Sequence, residues 1–330
     1  MSTTAVRTAP GRRAPDAPAG EPGAGTVARA ARGRRTGRVG PWLYLTPMLA
    51  SLVVWVYGPL VFTGVLSFLD WDLTSDRRPF VGLDNYERLF GEPEFPQAIQ
   101  RTLLYVVLMV PFATFVPLGL AIMLWKRPGR GSEIYRALLF LPVVLAPVAT
   151  AVSWQFVLNP LQGVANATLG GLGLGSDRNW LGDPDTALPV VVAVTAAKIV
   201  ALNMLLFGAA LAGIDRRGIE AARVEGATEW EITRFVVWPQ LRRTTVLLGF
   251  VCVVLAGQWV FTNVAVLTQG GPDGSTDNVY HRLYTYGFTF FDIGAASAAA
   301  VVIVFALTAL FALRVLAARV TRRFARARPR

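Results

Sequence analysis

Several chemistries lack the residues they need in this 330-residue chain. Cysteine occurs once, at Cys252, so no intrachain disulfide can form and a cysteine metal cluster is excluded. Histidine occurs once, at His281. That removes a two-histidine metal site and any relay of several histidines; a lone loop histidine reads as a solvated side chain. Lysine occurs only at Lys126 and Lys198, and neither follows a glycine. The phosphate-cradling Gly-x-x-x-x-Gly-Lys-Ser/Thr loop is therefore absent, and any ATP this protein depends on must be bound by another chain.

Charge is scarce as well. Only 16% of residues are Asp, Glu, Lys or Arg, against roughly 25% in soluble domains. What is abundant is apolar: 53% of the chain, with several stretches that exceed the roughly 20 residues needed to cross a bilayer. These observations predict an all-α membrane protein with six transmembrane helices, at about 42–68, 103–125, 137–158, 188–213, 246–268 and 293–318. Prolines at 47, 59, 111, 117, 142 and 147 fall inside these stretches, where neighbouring groups can satisfy the carbonyls they free. Residues 1–40, rich in Ala, Gly, Pro and Arg, read as a disordered basic tail. Residues 319–330 read as a second basic tail.

The net charge of +11 would suit nucleic acid, but the distribution argues for membrane topology instead. Basic residues number 8 in the N-terminal tail, 4 between Lys126 and Arg136, 6 between Arg216 and Arg243, and 7 from Arg314 onward. The opposite face carries 6, and Lys198 lies inside a span. The positive-inside rule places both termini and the loop after the fourth span in the cytoplasm.

That loop, Asp215 to Pro239, is the longest charged segment between two long apolar runs. Asp215 has the character of an N-cap, Gly226 of a helix stop, and Thr228 with Glu231 the spacing of a capping box. A helix running through Ala222 and Gly226 would carry small side chains on one face. A helix-turn-helix of this kind at the membrane face suits docking better than catalysis.

Glu220-Ala221-Ala222, Gly226 and Pro239 resemble the EAA loop of ABC-importer permeases. Glu225-Gly226-Ala227 stands where the sugar-importing branch usually has Asp-Gly-Ala. Phe80 to Tyr86, Asn159 to Gly163 with Asn166 and Trp180, and Leu267-Thr-Gln-Gly-Gly-Pro272 resemble further segments of the same sugar-type permeases. The resemblance covers most of Trp42 to Ala318. It implies one half of the channel of an importer for a sugar or related polyhydroxylated solute. Implied partners are a second permease subunit, a cytoplasmic ATPase dimer, an extracytoplasmic solute-binding protein and the lipid bilayer of the cell membrane, with no nucleic acid. It also implies that this chain holds no cofactor, ATP being bound by the ATPase subunits. Glu220, Ala221, Ala222 and Gly226 are then the ATPase-coupling residues.

The spans contain no Asp or Glu except at their ends, which weakens a proton-driven carrier, and no nucleophile–base set suggests a membrane-embedded enzyme. An amino-acid or peptide permease and a stand-alone secondary carrier remain the alternatives. Lys198, Asn203, Gln258, Trp259 and Asn263 are the polar or amphipathic groups that could line a solute pathway. Each also has a structural reading: a lysine reaching a polar interface, or amides bonding helix to helix.

Overall fold

The computed structural model describes residues 40–75, 77–175 and 177–327. The expected N-terminal tail lies, apart from Gly40, outside the described residues. The chain divides into two units, Met1–Tyr57 and Gly58–Arg330. Among the described residues the elements are helical, with isolated β-bridges at Leu69–Phe80 and Asp72–Asp292.

In the first unit, α1 (Gly40–Leu52) passes into a π-helical turn, Val53–Tyr57. The second unit opens with α2 (Gly58–Leu66), followed by the short α3 (Asp84–Gly91) and the long α4 (Glu94–Lys126). Next come α5 (Arg130–Val144), α6 (Pro147–Val157), α7 (Val164–Gly171) and α8 (Pro184–Ala212). The charged loop supplies α9 (Arg216–Val224), α10 (Glu229–Glu231) and a π-helical segment, Ile232–Val237, that runs into α11 (Trp238–Leu267). The chain ends with α12 (Val279–Tyr284), a third π-helical turn and α13 (Ile293–Ala327).

By length and composition five helical runs can cross a membrane, or six if α5 and α6 form one broken span. The third span expected at 137–158 is not one straight helix, because α5 and α6 meet at 99°. The cause is Pro147. Proline cannot donate to the turn before it and biases the preceding residue away from helix, and Ala146 is extended at φ −56°, ψ 133°. Pro111, Pro117 and Pro142 sit inside continuous helices instead. The last candidate span, Ile293–Ala317, agrees with the expected 293–318, and the helix α13 itself continues past it through Ala327.

The core is built on α8, 56% of whose apolar window is buried, against 6% for α13. One apolar cluster joins α4, α6, α8 and α11 through Tyr105, Met109, Ala151, Val191, Ile199 and Val264. A second joins the other halves of α4, α8 and α11 to the charged loop through Leu124, Phe207, Ile219, Ile232 and Val237. Because the α8 residues shared with the loop lie at its C-terminal end and those of α11 at its N-terminal end, the two helices run antiparallel. A third cluster joins α3, α12, α13 and the start of α4.

Leu83, Tyr86, Leu89 and Phe90 share one helical face in the sequence and predict a short surface helix; α3 forms there, with only the Tyr86 and Leu89 part of that face packed inward. Leu83 and Phe90 are exposed, while Leu89 and Asn85 are enclosed. Asn85 donates to the carbonyls of Ser67 and Leu69, each at 2.9 Å. The side-chain amide anchors α3 to the end of α2, a contact that hydrophobic spacing does not report.

Candidate coupling surface and solute pathway

The loop between α8 and α11 folds as its capping residues dictate. Asp215 accepts from the Arg217 amide at 3.0 Å and starts α9. The helix stops at Val224, where the Gly226 amide donates to Arg223 and that of Ala227 to Ala222. This double bond with Gly226 at φ +82° is a Schellman stop. No helix therefore runs through both Ala222 and Gly226, and the predicted small-residue stripe is corrected to a helix followed by a left-handed turn. Thr228 opens α10 with both halves of a capping box: its amide donates to Glu231 Oε2 at 2.7 Å, and the Glu231 amide donates to Thr228 Oγ1 at 3.3 Å.

One face of this helical pair is seated in the protein. Ile219, Ile232 and Val237 are buried, and Ala222 packs beside them. Glu220 and Ala221 point outward. So do three large apolar side chains: Val224 at 89% exposure, Trp230 at 69% and Phe235 at 68%. Val224 lies at the turn outside any candidate span, where an exposed apolar side chain suits a partner surface, whereas Trp230 and Phe235 lie within the helical run Glu229–Leu267 that is apolar enough to enter the bilayer. Glu229 fastens the pair to α4. Its Oε2 lies 3.1 Å from Lys126 Nζ and its Oε1 3.0 Å from Arg223 Nη2, and Lys126 also donates to the Glu229 carbonyl at 3.1 Å. The sequence pattern of the loop did not single out Glu229, because its partner Lys126 is about a hundred residues away.

The pathway candidates separate into two groups. Asn203 is buried, and its amide donates to the Ala113 carbonyl of α4 at 2.6 Å. In an unbroken helix that carbonyl would accept from residue 117, which is Pro117 and has no N–H. Asn263 is also buried and donates to Thr195 Oγ1 at 2.7 Å, joining α11 to α8. Both amides are thus engaged between helices. Asn203→Ala should leave the Ala113 carbonyl unpaired and lower stability by about 1–3 kcal/mol. A thermal-inactivation series on the purified protein checks this.

Lys198, Gln258 and Trp259 differ from those two. Gln258 is exposed, and Trp259 is partly buried against the cluster between α8 and α11. Lys198 is partly exposed midway along α8, and its Nζ donates to the Leu145 carbonyl at 3.0 Å. Leu145 is the residue at which α5 breaks. A cation within a span costs about 2.5–3.5 kcal/mol on insertion scales, so its presence needs a reason.

The segment after α11 makes the tight turn that its paired glycines predict. Gln269 and Gly270 are left-handed at φ 52° and 85°, and the Gly271–Pro272 bond is cis. Thr276 donates to the Gly271 carbonyl at 2.8 Å, and its own carbonyl accepts from Tyr105 of α4 at 3.1 Å. His281, expected to be solvated, is largely enclosed and bonded at 2.7 Å to the buried Asp277, which also pairs with Arg282. Nearby, burial and the Glu92 carboxylate push the Tyr286 hydroxyl up. These bonds fix the turn on α4 and α12. Among the described residues no His, Cys, Asp or Glu cluster could hold a metal ion.

Residues 91–322 match the family described as the binding-protein-dependent transport system inner membrane component. The chain belongs to that family, the permeases of ABC importers. A probable ABC transporter permease of Bacillus subtilis is 34% identical, covering 82% of this chain and 92% of the relative. The lactose transport system permease LacF of Rhizobium radiobacter is 32% identical over 76% of this chain and 84% of that one. The sn-glycerol-3-phosphate permease UgpA of Brucella abortus is 32% identical over 82% and 92%. A bacterial ABC transporter that imports the acidic polysaccharide alginate has the same fold, with TM-score 0.72 at 23% identity over 86% of this chain and 95% of that one. As a permease of this family the chain is an inner-membrane transport subunit.

Proposed function

We propose that this permease forms half of the translocation pathway of an ATP-driven importer for a sugar or related polyhydroxylated solute. Its partners are a second permease, a pair of cytoplasmic ATPase subunits that bind the nucleotide, and an extracytoplasmic solute-binding protein. Both termini and the α9–α10 pair face the cytoplasm, and Glu220, Ala221, Ala222 and Gly226 couple to the ATPase. The observation that carries this reading is the helical pair itself. It is packed through Ile219, Ile232 and Val237 against the adjoining ends of α8 and α11, and it leaves Glu220, Ala221 and Val224 exposed. The solute class is supported by relatives named for lactose and sn-glycerol 3-phosphate and by a structural neighbour that imports alginate.

ATP does work here only if the ATPase pair grips the coupling surface differently in two states of the permease. Reconstitution in liposomes tests the reading. Solute uptake should require ATP, the second permease and the binding protein together. Gradient-driven uptake by this chain alone would instead make it a secondary carrier.

A further inference from the structure

We propose that the solute is acidic, a sugar or polyol carrying a carboxylate or phosphate, and that Lys198 selects it. This deepens the importer reading above and rests on it.

The Asn263–Thr195 hydrogen bond fixes the register between the antiparallel helices α8 and α11. Lys198 lies three residues further along α8 and Trp259 four residues back along α11. At ~1.5 Å per residue both fall about 4.5–6 Å from that bond, in the same direction. Gln258 and the break at Leu145 belong to the same level. One layer of the molecule therefore holds a broken span, a lysine, an indole and an amide.

Capping the break does not account for a charge. A freed carbonyl needs a donor, and neutral amides do this job elsewhere in the fold. Asn203 serves the Ala113 carbonyl and Gln155 serves that of Val266 at the end of α11. The Lys198 ammonium has three donors, and the Leu145 carbonyl takes one. Nothing among the described residues neutralises it. No Asp or Glu pairs with it, and α4 after Glu94, α8 after Asp185, and α6, α11 and α13 throughout contain none. With Asn203 and Asn263 engaged between helices, the amides that would greet a neutral polyol are reduced to Gln258. What remains at that level is a cation with no carboxylate partner among the described residues, and an indole on the neighbouring helix. An anionic group on the solute supplies the missing partner, and the ring supplies a surface for the sugar.

The test uses the complete importer with its binding protein in liposomes. Uptake is measured for two matched pairs, glucose with glucuronate and glycerol with sn-glycerol 3-phosphate. The proposal expects the acidic member of at least one pair to be carried in preference. It also expects Lys198→Gln, which keeps a donor for Leu145, to lower that solute's kcat/KM about tenfold while Lys198→Arg retains it. The binding protein is the same throughout, so a change on substitution belongs to the permease. Equal uptake of the acidic solute by Lys198→Gln and the unsubstituted protein overturns the proposal. Preference for the neutral member overturns it while leaving the sugar-importer reading intact. Uptake of neither member of either pair removes the solute reading and this proposal with it. Should Lys198→Gln fail to assemble, the preference of the unsubstituted importer within each pair decides.

Discussion

Gly226→Trp should abolish ATP-driven uptake while the protein still inserts and assembles. Gly226 sits at φ +82°, a backbone conformation that costs an L-residue about 1–2 kcal/mol. That strain acts on the Schellman stop, whose Ala227-to-Ala222 bond ends α9 and aims the chain into α10. No atom lies within 4 Å of the position a Cβ would take. A Cβ there meets no obstacle among the described residues; on the coupling reading proposed above, a larger side chain would occupy space that an ATPase subunit needs. The two effects can be separated by size. Gly226→Ala carries the backbone strain alone and should reduce uptake only in part, whereas tryptophan adds bulk on the docking side and should leave none. Asparagine, which tolerates left-handed geometry, should do less harm than alanine. Uptake at a normal rate by the tryptophan variant would show that this turn is not where the motor grips.

What could be read in advance was local. Asp215, Thr228 and Glu231 act within three residues of themselves, so their caps were legible from spacing alone. The long apolar runs were legible because a bilayer imposes their length. The features that escaped depend on packing, in part with residues distant in the chain. Pro142 and Pro147 look alike as letters, yet one is absorbed in a helix and the other ends it. Asn203 reads as a pathway amide until Pro117 is seen to have freed the carbonyl opposite it. His281 reads as a solvated side chain until Asp277, one turn earlier, is found buried beside it. Asn85 reads as one more polar residue of a surface helix, yet it is the anchor of that helix. In the last three cases a buried polar group answers a backbone or carboxylate need, and for Asn203, within a span, that need cannot be met by water from the bilayer.

The same reasoning makes Glu229 the residue whose loss should most cleanly separate stability from coupling. Its carboxylate is about half exposed, at 54%, as is Arg223 at 58%. Exposed ion pairs contribute only about 0–1 kcal/mol to stability. Glu229→Gln should therefore leave insertion and thermal stability almost unchanged. Its mechanical consequence is larger, because this one side chain ties the C-terminal end of α4, at Lys126, to α9 and α10. On the coupling reading proposed above, a displacement of α9 by the ATPase pair would pass through Glu229 to Lys126 and so to α4, the helix that packs along α8. Without it the coupling pair can move while α4 stays, so ATP hydrolysis by the assembled importer should continue as uptake falls about tenfold. Lys126→Ala should do the same, and the double variant should be no worse than either single one, as expected of two partners in one link. Raising the salt concentration should push the unsubstituted importer toward the same behaviour, since partly exposed charges are screened. Full uptake by Glu229→Gln, or additive losses in the double variant, would place the transmission through the buried contacts of Ile219, Ile232 and Val237 instead.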